Sequence, residues 1–184
     1  MQLKLSWIVL WIMTAACVLM LNVKPLQAAG QYDSSPGWTV IESQFAEVSA
    51  NPENPTAWNN LGQLLFFIGK TPEALLAYDH ALMLNPDYSL VLANRCGVLS
   101  QLESYTMALQ SCDMALEVAH LWGAQGAALA WDNRGDVLFR LEDYQESLRS
   151  FEQALAVNPD YQNAERNRQI VLDQLEKMGG RLPD

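Results

Sequence analysis

Positive charge is scarce in this sequence: 11 Lys and Arg stand against 21 Asp and Glu, a formal net charge of -10. Binding a phosphate backbone needs a basic stripe, and none runs along the chain, so nucleic acid is excluded as a partner. Histidine is scarcer still. His80 and His120 are isolated, with no His or Cys at ligand spacing, so no metal site is predicted. The three cysteines, Cys17, Cys96 and Cys112, form neither a zinc ribbon nor a redox CxxC. GxSxG, HExxH and the phosphate loop are all missing, and the acidic pair Glu142-Asp143 reads as a helix start rather than an acid/base couple. The expectation is no enzyme, no metal and no cofactor. Strand-like alternation is also lacking, which excludes a sheet.

What is present begins with an apolar front. Lys4 precedes an uncharged run over residues 5–23, Lys24-Pro25 breaks it, and Leu26-Gln27-Ala28-Ala29 follows. Two fates fit residues 1–29. A cleaved signal peptide explains the Pro and the small residues after it. An uncleaved signal anchor explains the length, which is about enough to span a bilayer. Either way the positive charge stays in the cytoplasm and the rest is exported, to a periplasmic or lumenal space. Membrane contact is then expected only through residues 5–23, if uncleaved. Without residues 1–29 the chain keeps 9 basic and 21 acidic side chains.

Residues 30–37, GQYDSSPG, read as a linker. An amphipathic helix with a turn is expected over 38–54. Beyond it the chain echoes itself. Trp58, Leu61, Gly62, Leu65, Ala74, Tyr78, Ala81 and Pro86 return as Trp131, Arg134, Gly135, Leu138, Ser147, Phe151, Ala154 and Pro159, and both copies end in Asn-Pro-Asp-Tyr. A middle copy holds Leu92, Arg95, Cys96, Leu99, Ala108, Cys112 and Ala115, with His120 where Pro is expected.

This pattern resembles the tetratricopeptide repeat (TPR). The copies are placed at 55–88, 89–122 and 128–161, with five extra residues at 123–127. The resemblance implies an all-α, right-handed solenoid of three helix-turn-helix repeats. The helix at 38–54 would cover one end, and a helix at 162–178, with Ile170, Leu172 and Leu175 inward, the other. It also implies a scaffold whose first helices line a concave groove for an extended peptide. Position 6 of each first helix holds Asn60, Asn94 and Asn133, and Asn offers both donors and an acceptor to a peptide backbone. The alternative is that these Asn side chains only stabilise the array. Chaperone-type relatives clamp a carboxylate with Lys and Arg; here those positions hold Asn59, Gln63, Leu129 and Asn133. With Asp132 and Asp136 nearby, the expected ligand is a neutral or basic protein segment. A second functional expectation is a membrane-anchored assembly factor, with its repeats on the non-cytoplasmic side, for a membrane or envelope complex, a photosynthetic one included.

Cys96 is at repeat position 8 and Cys112 at position 24, facing positions of an antiparallel hairpin. Two readings stay open: a pair of compact buried thiols, or a disulfide formed in an oxidising compartment.

Overall fold

A computed structural model describes residues 36–118 and 123–179, with side chains from residue 40 and again from residue 126. The leader, residues 5–23, Cys17 and His120 lie outside the described residues. The repeat array falls within one compact unit, Val40–Asp184.

Among the described residues there are eight helices and no strand. They are α1 (Pro36–Ala50), α2 (Pro55–Phe67), α3 (Thr71–Leu84), α4 (Ser89–Gln101), α5 (Tyr105–Glu117), α6 (Gly123–Arg140), α7 (Tyr144–Val157) and α8 (Gln162–Lys177). No helix among them is long and apolar enough to cross a membrane. The pairs α2–α3, α4–α5 and α6–α7 are the three hairpins, and each second helix also packs on the first helix of the next hairpin. First helices pack on one another as well, α2 on α4, α4 on α6 and α6 on α8. The first helices therefore form the inner layer and the second helices the outer one.

Each hairpin turns in the same way. Gly69, Glu103 and Glu142, all at position 15, have φ of 77°, 57° and 62°. The left-handed residue lets the following amide reach back: Lys70 N to Leu65 O, Ser104 N to Leu99 O and Asp143 N to Leu138 O. At the next helix start, Asp143 Oδ1 accepts from Glu146 N, as the acidic capping pair implies. For α2, Asn54 Oδ1 caps Thr56 N. No side chain caps α3, whose N-cap is Lys70, with Thr71 and Pro72 already helical.

Small residues set the distance between the two helices of a hairpin. Gly62 faces Tyr78, and a Cβ on Gly62 would lie 2.6 Å from Tyr78 Cε1; a Cβ on Gly135 would lie 2.6 Å from Phe151 Cε1. Both rings are buried, as are Ala74 and Ala81 in the first hairpin and Ala154 in the third. Burying such a ring contributes roughly 1.5–3 kcal/mol, and only a glycine opposite leaves room for it. Deep burial drives the Tyr78 phenol pKa upward, so it stays neutral.

Two boundaries and one buried face differ from those expected from the sequence. α1 begins at Pro36 rather than Trp38, so the last two residues of the 30–37 linker are helical; Pro suits a first helical position. The five extra residues 123–127 form the first turn of the helix that carries the third copy, α6, in a stretch rich in the good helix former Ala. In α8 the buried stripe is Ala164, Val171 and Leu175, while Ile170 is 53% exposed. Seven- and four-residue steps from Ala164 keep one face; Ile170 lies a third of a turn away.

Candidate functional site

The inner layer holds the residues expected to line the groove, and the structure divides them. Asn59 is buried beneath the surface, and its Oδ1 accepts from Asn94 Nδ2 at 3.0 Å. Asn133 Nδ2 donates to Ala93 O at 2.7 Å. Asn167 Nδ2 donates to Asp132 Oδ1 at 3.0 Å. In each case a position-6 Asn reaches back to the position-5 residue of the preceding first helix. Asn94 and Asn133 thus tie repeats together with the amides expected to meet a ligand. Only Asn60 lies before the first such tie. It stays exposed, with one long contact of 3.5 Å from Asn59 Nδ2. Gln63 is exposed one turn further on, and Leu129 is half-buried.

The two acids are not a bare negative end. Asp132 is buried, which pushes its carboxyl pKa up to about 6; the Asn167 bond and the nearby Arg166 oppose that shift, and Asp136 adds to it. Asp136 Oδ2 accepts from Ser100 Oγ at 2.9 Å and pairs with Arg140 Nε at 2.9 Å. Arg140 and Arg166 thus offset much of the charge that the sequence reading left uncompensated. Between Gln63 and Asp136, both at position 9, the middle repeat holds Gly97, with Ala93 at position 5. Ala93 is fully buried, and a Cβ on Gly97 would meet Asn133 Nδ2 at 3.4 Å, so the Asn133 side chain covers this stretch of the inner layer.

A second ladder, missed in the sequence, joins the layers. Arg95 Nε pairs with Asp79 Oδ1 at 2.7 Å, and its Nη1 donates to Ser111 Oγ at 2.6 Å. Arg134 repeats this with Asp113 at 3.0 Å and Ser150 at 2.9 Å, and Arg168 Nε lies 3.8 Å from Glu152. Position 7 of one repeat holds position 25 of the one before. The signal was present, since Arg95, Arg134 and Arg168 are spaced 39 and 34, and Asp79, Asp113 and Glu152 are spaced 34 and 39. The Arg134 bridge floors an outer concavity of about 600 Å³, also lined by Trp131, Glu146 and Gln153. It is not on the inner face.

Cys96 and Cys112 are joined in a disulfide with a Cα–Cα distance of 5.4 Å, and both are buried. His80 is no free surface residue: its ring centroid lies 4.0 Å from that of Trp58 at a tilt of 44°, and Trp58 Nε1 donates to Pro52 O at 2.8 Å. Burial lowers its pKa, with Glu53 opposing. Among the described residues no three His, Cys, Asp or Glu side chains gather as metal ligands.

These features define an all-α helical-repeat protein. Residues 55–88 and 128–161 each match a family model described as tetratricopeptide repeat. Protein FlbA of Caulobacter vibrioides is 36% identical over 76 residues, which is 41% of this chain and 13% of FlbA, so the chain corresponds to a small part of that relative. The Sgt2 TPR domain from Aspergillus fumigatus superposes with a TM-score of 0.61 at 18% identity, covering 71% of this chain and 85% of that domain. The first TPR of Spaghetti (RPAP3), bound to the HSP90 peptide SRMEEVD, gives 0.59 at 20%, covering 67% and 94%. The Arabidopsis OM64 TPR domain gives 0.57 at 20%, covering 64% and 93%. At these identities the solved structures establish the fold: a TPR-type helical array.

Proposed function

We propose that this chain is an exported scaffold that holds an extended segment of a partner protein on its inner face and performs no chemistry. The observation that carries the reading is the first rung of that face. Asn60 and Gln63 keep exposed amides with which a peptide backbone can hydrogen-bond. The peptide-bound RPAP3 domain supports a peptide as ligand class. That peptide ends in acidic residues, whereas Asn59, Gln63, Leu129 and Asn133 put no cation at the clamp positions here. A neutral or basic segment therefore fits better than an acidic terminus. Export is supported by the basic-then-apolar order of residues 1–29 and by the Cys96–Cys112 disulfide, which suits an oxidising compartment.

The test is a photocrosslinking residue at exposed position 67, one helical turn beyond Gln63 on the same helix, activated in the native cell, with the adduct identified by mass spectrometry. A discrete adduct, competed by an excess of the matching extended peptide, supports the reading. No adduct, or an adduct that the excess peptide does not compete, would overturn it. The membrane-anchored assembly factor is favoured over the soluble form if the isolated chain retains residues 1–29, which its mass decides.

A further inference from the structure

The Arg bridges mark two homologous clefts on the outer layer, and their rims differ. In the first, Arg95 spans from Asp79 on α3 to Ser111 on α5. Leu76 and Met83 lie three before and four after Asp79, and Met107 and Met114 lie four before and three after Ser111. Helical periodicity puts each pair on the same side as its end of the bridge. All four are exposed, at 55%, 66%, 48% and 42%. In the second cleft Arg134 spans Asp113 and Ser150, and the same four positions hold Gln110, Glu117, Glu146 and Gln153. The repeat architecture therefore tolerates polar rims, so the apolar ones are not needed for folding.

We propose that the cleft between α3 and α5 is a second docking surface, occupied by an amphipathic helix of a partner with an apolar stripe and basic flanks. Each rim pair is seven residues apart, about 10 Å along its helix, which matches the i, i+7 stripe of a helix laid in a groove. Three of the four side chains that would touch it are Met, Met and Met, flexible enough to repack around a partner. The charge is specified too. Residues 69–118 hold six acids, Glu73, Asp79, Asp87, Glu103, Asp113 and Glu117, and two bases, Lys70 and Arg95; Lys70 pairs with Glu73, Arg95 with Asp79 and Arg134 of the next hairpin with Asp113, which still leaves the stretch net negative. Basic flanks complement that surface, whereas a second copy of this chain, itself at -10, would meet like charge. The inference stands apart from the inner-face reading, since it uses the opposite layer.

The probe is a labelled 16-residue synthetic helix with Leu at i, i+3, i+4 and i+7 and Lys on its flanks, titrated into the full chain and read by fluorescence anisotropy. Leu76→Ser combined with Met107→Ser changes no charge and touches only exposed positions, and circular dichroism checks that it folds. Binding to the wild type at least tenfold tighter than to that variant supports the proposal. So does undiminished binding to Gln110→Ser with Gln153→Ser in the second cleft, together with loss of binding when the probe carries Glu for Lys. Equal binding to the first variant, an equal loss in the second, or no binding to the wild type overturns it. A wild-type dimer that the first variant dissolves would reassign the cleft to a second copy. Binding gained only on removal of residues 1–29 would reassign it to the chain's own leader.

Discussion

Cys96 and Cys112 are bonded at the two positions where the flanking repeats press Tyr78 onto Gly62 and Phe151 onto Gly135. The middle repeat thus closes its hairpin with a covalent link where its neighbours use an aromatic ring in a glycine notch. The link spans 16 residues. Removing it by Cys96→Ala with Cys112→Ala is expected to cost about 3 kcal/mol and to leave a void as well. Cys96→Gly with Cys112→Tyr imports the first repeat's solution and should recover part of that loss. Urea denaturation of the three proteins checks both; a Gly/Tyr variant no better than the Ala variant would show that the positions are not interchangeable.

Gly69, Glu103 and Glu142 share one left-handed turn geometry, but only the first is the residue that geometry favours. Glu103→Gly and Glu142→Gly should each raise stability by about 0.5–1 kcal/mol, the steric relief outweighing the added freedom of the unfolded chain. Gly69→Ala should lower it by about 1 kcal/mol. Melting midpoints of the three variants give the signs.

The repeats were legible because their spacing is a packing requirement: a notch at Gly62 or Gly135 must recur opposite a ring. The inner-face amides were not, because repeat phase fixes which way Asn94 and Asn133 point but not whether a ligand or the previous helix receives them. Asn59 and Asp132 looked exposed in sequence for the same reason; neighbouring first helices pack close enough to bury both. The Arg95, Arg134 and Arg168 ladder could have been found, since its acids recur at matching intervals one repeat earlier. Val171 replaces Ile170 as the core residue of α8 because two adjacent β-branched residues give no phase on their own.

Asp132 makes stability depend on pH. Its folded pKa, about 6, is raised above the ordinary 3.8, chiefly by burial. The charged form is therefore the disfavoured one in the folded state. No penalty acts below about 3.8; it grows as pH rises through the interval and is complete above about 6. Asp132→Asn keeps an oxygen for Asn167 and removes the charge. It should stabilise the chain by about 1–3 kcal/mol at pH 7.5 and leave it nearly unchanged at pH 4. Denaturation curves of both proteins at the two pH values check this, and a gain of equal size at both would mean that charge is not its source.

The division of the inner-face amides into ties and ligand groups is tested most directly by paired melting curves. Asn94→Ala with Asn133→Ala removes two inter-repeat bonds and orphans the buried Asn59 Oδ1. It should cost about 1–3 kcal/mol, seen as a lower midpoint. Asn60→Ala with Gln63→Ala touches only exposed amides and should leave the midpoint where it is while abolishing the crosslink from the inner face. Equal midpoints for the two double variants, or a loss confined to the Asn60 and Gln63 pair, would contradict the account.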